Sequence, residues 1–187
     1  MRPDILTFTG KYFNFLEPDT ASIDIEAIAH GLSNICRFGG QAREFYSVAQ
    51  HSVMVAECPC VPRSLRFEAL MHDAAEAFVG DMPSPLKRLL PEYKVIERRV
   101  EHAIRKRFRL DDTDWHCVNQ ADLVMLATEQ RDLMPWHDDE WAMLSGVTPL
   151  ERTVVPLSPQ MAKAAFLHAF RLYAPPRVIA DAGAALS

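Results

Sequence analysis

Residues 65–79, LRFEALMHDAAEAFV, constrain this chain more than any other stretch. Read as a helix capped by Ser64, the run is apolar on nearly every side through Leu65, Phe67, Ala69, Leu70, Met71, Ala74, Ala75, Ala77, Phe78 and Val79. A helix apolar all round belongs in the interior of a protein. At about 100° per residue, His72, Asp73 and Glu76 still fall together in one narrow polar strip. Such a strip is either the helix's solvated face or a site. Solvated faces favour long, flexible Lys, Arg, Gln and Glu. His beside Asp instead sets a nitrogen and an oxygen donor at metal-binding reach, and an apolar frame is where acid–base groups are tuned.

At 187 residues the sequence suits one domain, 1–187, that buries a substantial core without staples. A formal net charge of −5 argues against a nucleic-acid polymer as partner, since such binders are usually basic. Of the four cysteines, Cys36, Cys58, Cys60 and Cys117, only Cys58-Pro59-Cys60 is a close pair. It lacks the second pair a structural zinc site needs, and no disulfide framework is visible. Met1 to Thr20 carries Asp, Lys, Glu and Pro, so no signal peptide is expected. No run of about 18 apolar residues predicts a membrane span. The expectation is a cytoplasmic protein with no membrane partner.

Residues 5–16, ILTFTGKYFNFL, predict a short strand or hairpin whose Phe8, Tyr12, Phe13 and Phe15 plug the core. Ser22–Arg37 predicts a helix buried through Ile23, Ile25, Ile28, Leu32 and Ile35; a lone His30 on it is left as packing or surface. Ser47 caps a helix to about Glu57, on which His51 faces inward with Val48, Met54 and Val55. A buried imidazole requires a partner, either a carboxylate or backbone group or a metal. Residues 82–93 carry three prolines and predict an ordered loop with one helical turn holding Lys87 and Arg88. Residues 93–109 predict a helix with a basic solvated face. Asp111-Asp112-Thr113-Asp114 predicts a turn or cap before a helix from about Cys117 to Met134, where Asp122 shares a stripe with Met125, Leu126, Glu129 and Leu133. A carboxylate aimed that way must be compensated. Pro135–Val155 predicts an irregular stretch whose His137-Asp138 lies at the surface. Ser158-Pro159 opens a last helix to Tyr173, packing through Met161, Ala165, Leu167, Phe170 and Leu172, and residues 175–187 predict a flexible tail.

Four inward-looking donors therefore sit on three helices: His51, His72 with Asp73, and Asp122. Two imidazoles and two carboxylates suit one divalent ion of the Mn, Co, Zn, Ni or Fe class, with positions left for water and substrate. Glu76, one turn beyond His72, is placed to take a proton from attacking water. Asp81, at the helix end, is placed to orient that water or to protonate a leaving oxygen.

The order His51 … His72-Asp73 … Asp122 resembles the metal signature of the HD-domain phosphohydrolases. HDAAEAFVGDMPSPLK is similar to the HD-x-x-E … D-x-P-x-P-x-K segment of their 5′-deoxynucleotidase branch. The segments 34–38, 45–52 and 121–129 look more narrowly like prophage-encoded HD nucleotidases and the phage dATP triphosphohydrolases. The likeness runs from about Thr7 to Tyr173; HD alone is a weak motif, but the ordered set is specific. It implies an all-α HD-domain helical bundle with a short N-terminal strand or hairpin. It also implies a divalent metal (Mn, Co or Zn, with Mg as a possible second ion), a small-molecule deoxynucleotide substrate and a homo-oligomer. Carried over by residue, His51, His72, Asp73 and Asp122 are ligands, Glu76 and Asp81 the acid–base pair, and Arg37 and Lys87 substrate contacts. Phe38 stands where some members have Trp. The leading expectation is a 5′-deoxynucleotidase releasing phosphate. The alternative is a dNTP triphosphohydrolase, for which Lys11, Arg43, Lys87 and Arg88 are candidate phosphate contacts. A hydrolase of cyclic nucleotides or (p)ppGpp ranks lower, and an inactive nucleotide-binding regulatory module is the reading from another class.

Overall fold

A computed structural model of the chain describes residues 2–110 and 115–183. The expected turn at Asp111–Asp114 lies outside them. The architecture is all-α apart from one hairpin.

Strands β1 (Asp4–Leu6) and β2 (Tyr12–Asn14) pair antiparallel with Ile5 opposite Phe13. Alternation on so short a hairpin buries one face only. Phe13 is fully buried and stacks on Phe78, whereas Phe8 and Tyr12 lie mostly exposed, so they are not the core plugs their residue type suggested. Phe8 stacks instead on His30, with the Lys163 ammonium 4.4 Å from its ring centroid.

Helix α1 (Ile25–Asn34) starts after Asp24, whose carboxylate accepts from Thr9 Oγ1 and Lys11 Nζ and so ties the hairpin to the bundle. Ile25, Ile28, Ala29 and Leu32 form its buried stripe. Ser47 caps α2 (Val48–Ala56) by accepting the Gln50 N–H at 3.2 Å. The central helix is not continuous. It splits into α3 (Arg66–Leu70) and α4 (Glu76–Val79), and the intervening turn closes through Ala74 N–H to Met71 O, Glu76 N–H to Asp73 O and Ala77 N–H to Ala74 O. These bonds are three residues apart, the tighter 3₁₀ spacing. A run apolar on all sides does not distinguish that spacing from 3.6.

One helical turn, α5 (Ser84–Lys87), interrupts the proline-rich loop. Next come α6 (Pro91–Phe108), with proline in its first turn and a left-handed Arg109 ending it, and α7 (Trp115–Leu133). The irregular 134–158 stretch is fastened to α7 and α2. Arg131 donates to Leu150 O and Arg152 O, Asp132 accepts the Val154 N–H, and the Gln50 amide bonds Val155 O and the Leu157 N–H. Ser158 then caps α8 (Pro159–Tyr173), whose buried face is Ala162, Phe166, Ala169 and Phe170, not the exposed Met161 and Leu172. Contrary to the flexible tail expected from 175 on, Pro176–Gly183 forms helix α9 with Val178 and Ala182 buried. Pro176 provides a fixed φ at its start, which a double proline read only as a stop conceals. Among the described residues no helix is long and apolar enough to cross a membrane.

Helices α1, α2, α3 and α8 pack at the centre, α6 adds Val100, Ile104 and Phe108 to the same core, and α7 crosses against α2. That crossing sets Asp122 of α7 against His51 of α2, with the α3–α4 turn beside both.

Candidate metal centre

His51 is fully buried on α2, and His72 is 9% exposed in the α3–α4 turn. Each ring is anchored through Nδ1: His51 donates to Glu129 Oε1 at 2.6 Å, and His72 donates to Ala69 O at 2.8 Å. Glu129, ionised, and a carbonyl oxygen can only accept, so Nδ1 carries the proton in the neutral ring and Nε2 keeps its lone pair. Both Nε2 atoms are buried and neither makes a directed hydrogen bond.

They face carboxylates. His51 Nε2 lies 3.1 Å from Asp122 Oδ1 and 3.6 Å from Asp73 Oδ2, while His72 Nε2 lies 3.1 Å from Asp73 Oδ2. Short distances without hydrogen-bond directionality mean that the lone pairs converge on a shared space rather than on one another. The donor atoms of His51, His72 and Asp122 all lie within 4.8 Å of one another, and the three could hold a metal ion. Without a cation, Glu129 and Asp122 draw the His51 ring up to about 9, against burial and Arg37, which both lower it. His72 is raised too: burial lowers it, but Asp73 outweighs that. The carboxylates thus call for positive charge here, and two protons or one cation supply it.

Arg37 leaves α1 in a short turn and points inward. Its guanidinium is 3.2 Å from Glu129 Oε2 and 3.7 Å from Asp73 Oδ2. Burial works against its charge, but these carboxylates hold it firmly protonated. Glu76 opens α4 with a buried Oε2 that has no hydrogen-bond partner. Burial first, then Asp73 and Asp81, push its carboxyl well above the usual range. Gly80 (φ 84°) turns the chain out of α4, and the next residue, Asp81, is likewise raised, mainly by burial and by Asp73 against the pull of Arg37. His51, His72, Asp73, Glu76, Asp81, Asp122 and Arg37 therefore share one electrostatic neighbourhood.

The other basic candidates do not converge there. Lys87 donates to the buried Glu97 at 2.6 Å, at the site's margin, where its charge still reaches Glu76. Lys11 is bound to Asp24, Arg43 donates to the Asp132 carbonyl, and the exposed Arg88 donates to Ser84 O.

In the sequence, Glu129 stands out only as a member of the α7 stripe. With no exposed surface, it accepts from His51, from Tyr46 OH at 2.8 Å and from Arg37 Nε at 3.2 Å. The available signal was its place two turns after Asp122 on the same inward face. Its partners, 83 and 92 residues away along the chain, are matters of tertiary structure.

No protein-family model matches the sequence. The chain is 37% identical over 110 residues to an uncharacterized protein of Rhodobacter capsulatus, covering 54% of this chain and 56% of that protein. It is 46% identical over 167 residues to the uncharacterized protein YfdR of Escherichia coli K12, covering 89% of this chain and 93% of YfdR. At that identity and coverage, the chain belongs to the family of YfdR.

Proposed function

We propose that this protein is a divalent-metal-dependent phosphohydrolase of the HD-domain type acting on 2′-deoxynucleotides, releasing phosphate from deoxynucleoside monophosphates. The observation that carries the reading is the pair of buried imidazoles, each fixed through Nδ1, whose unpartnered Nε2 atoms face two carboxylates beside a raised, unpartnered Glu76. His51, His72 and Asp122, with Asp73 as the fourth donor, would hold a Mn, Co or Zn ion, with Mg as a possible second ion. When bound, that ion supplies Lewis acidity toward a phosphate oxygen and toward water.

Glu76 takes the proton from the attacking water. A carboxyl whose pKa burial raises well above the usual range holds a proton more readily than a freely ionised surface Glu, which suits it to that exchange. Asp81, raised less, is the second member of the acid–base pair and serves the leaving oxygen. Arg37 sets a fixed positive charge beside Asp73, where the phosphoryl group gains negative charge, and Lys87 adds a point charge from the margin. The monophosphate is favoured over a triphosphate because Lys11, Arg43 and Arg88 are engaged elsewhere. Two further phosphates would find few free cations near the metal donors.

Product analysis tests this. Protein stripped and reloaded with Mn, Co, Zn or Mg is given dAMP and dATP, with Asp73→Ala as control. The expected result is inorganic phosphate and deoxyadenosine from dAMP, lost in the variant. Triphosphate from dATP would transfer the assignment to a dNTP triphosphohydrolase. Metal binding without turnover of either would replace the enzyme by a nucleotide-binding module.

A further inference from the structure

The turn that aims Arg37 inward also does something the metal centre does not require. Phe38 adopts φ 56° and ψ 28°, left-handed values that a bulky residue rarely takes, and Gly39 repeats them. Such a conformation persists only where its surroundings over-determine it. Here the turn is pinned at both ends, by Arg37 N–H to Tyr46 O and by Arg43 N–H to Leu133 O. The result is a half-buried ring with the Arg37 guanidinium 5.4 Å from its centroid on one side and the Trp141 ring 6.2 Å away. Trp141 in turn stacks on His137, at 5.9 Å and 13° between planes.

His137 and Trp141 line an open cleft of about 730 Å³, with Trp136, 86% exposed, on the same wall. That volume suits a small organic ligand. Its chemistry excludes phosphate: Asp138, Asp139 and Glu140 contribute to its lining, and its arginines, Arg43 and Arg131, are tied to backbone carbonyls or to Asp132. Parallel rings and hydrogen-bond acceptors suit a flat, heteroaromatic, uncharged group instead.

We propose that Trp141, braced from behind by Phe38, supplies the stacking surface for the nucleobase of the substrate, and that the cleft along His137 and Trp136 is the base subsite. Arg37 joins it to the metal centre, with its guanidinium against Asp73 and its flank against Phe38. The position of the phosphate rests on the proposed function, but the base subsite does not.

Equilibrium dialysis with deoxyadenosine, which has no phosphate, tests the subsite alone on wild type, Trp141→Phe and Trp141→Leu, all first checked by thermal melts. Wild type binds, Trp141→Phe keeps most of the affinity, and Trp141→Leu loses roughly 5- to 150-fold, the range measured for one base stack. In turnover, Trp141→Leu raises KM for dAMP by a similar factor and leaves 2-deoxyribose 5-phosphate unaffected. Equal deoxyadenosine affinity in all three proteins, or none in wild type, overturns the subsite. Nucleoside binding that depends on Trp141, without hydrolysis of any phosphate ester, upholds the subsite and removes the phosphohydrolase.

Discussion

Glu129 is a carboxylate without solvent, and its ionised state survives only because Arg37, His51 and Tyr46 surround it; burial pushes its pKa up, yet the net shift is down. Its work is to fix the tautomer and direction of His51, the usual task of a carboxylate behind a metal-facing imidazole. Glu129→Gln keeps the shape but can present an N–H to a ring nitrogen that must itself donate. The expected outcome is a 10- to 100-fold drop in metal affinity, a range typical of second-layer partners, with the fold retained. Glu129→Ala removes the nearer of the two carboxylates that face the buried Arg37, leaving Asp73 at 3.7 Å, and costs about 3–5 kcal/mol of stability. Mn or Co titration and urea melts of the two variants separate these effects. His51 adds a pH prediction. Its metal-free ring is raised to about 9, so below that pH a proton holds the position a cation needs. Metal binding therefore expels protons, and apparent affinity falls as pH falls, by about tenfold per unit for each proton displaced. The comparison is metal–indicator competition at pH 6.5 and 8.5. Equal affinity at the two values would mean that the imidazoles are not ligands.

At the scale of elements, the position of Glu76 depends on how closely α4 approaches α1. Gly31 makes that approach possible: a Cβ there would lie 2.8 Å from Ala77 O and 3.0 Å from Ala77 Cβ. Backbone and a methyl group cannot swing aside as a long side chain can, so Gly31→Ala must displace α4. The expected cost is about 1–3 kcal/mol, as for other overpacked sites. Glu76 shifts with α4, while His51 and Asp122, on α2 and α7, stay. A urea melt and a metal titration of the variant should show lost stability with near-normal metal affinity; an unaltered melt would mean that the two helices part at no cost. The same junction shows where sequence stops being legible. Caps are local, and Ser47 and Ser158 each accept the expected backbone N–H. The inward face of α7 was readable from period alone, with Met125 and Leu133 buried beside Glu129. The break between α3 and α4 was not, because residues apolar on all sides carry no period. Nor was the exposure of Phe8 and Tyr12, since a three-residue strand offers too little alternation to tell its two faces apart.

Across the whole molecule, the donors that converge come from pieces far apart in the chain: His51 on α2, His72 in the α3–α4 turn, Asp122 on α7. The residue types and the inward orientation of the two imidazoles could be read from the sequence, whereas Asp122 meets them with 41% of its side chain still exposed. The ring of partners behind them could not, because Arg37–Glu129 and Tyr46–Glu129 contacts depend on how α7 crosses α2. A cation bridging three such pieces exists only when they are assembled, so its binding free energy adds to folding stability. At a free concentration of 100 times Kd the gain is about 2.7 kcal/mol. A chain of this size gains roughly 2–4 °C per kcal/mol, so the midpoint should rise by about 5–11 °C with Mn, Co or Zn and return with chelator. His72→Ala removes one donor together with its hydrogen bond to Ala69 O of α3, so its own metal-free melt is the baseline, and it should melt at that same temperature whether or not metal is present. Differential scanning calorimetry of both proteins, with metal and with EDTA, makes the comparison. A metal-dependent rise of equal size in the two proteins would place the cation elsewhere. A rise confined to wild type would tie the assembly of α2, α7 and the α3–α4 turn to a bound ion.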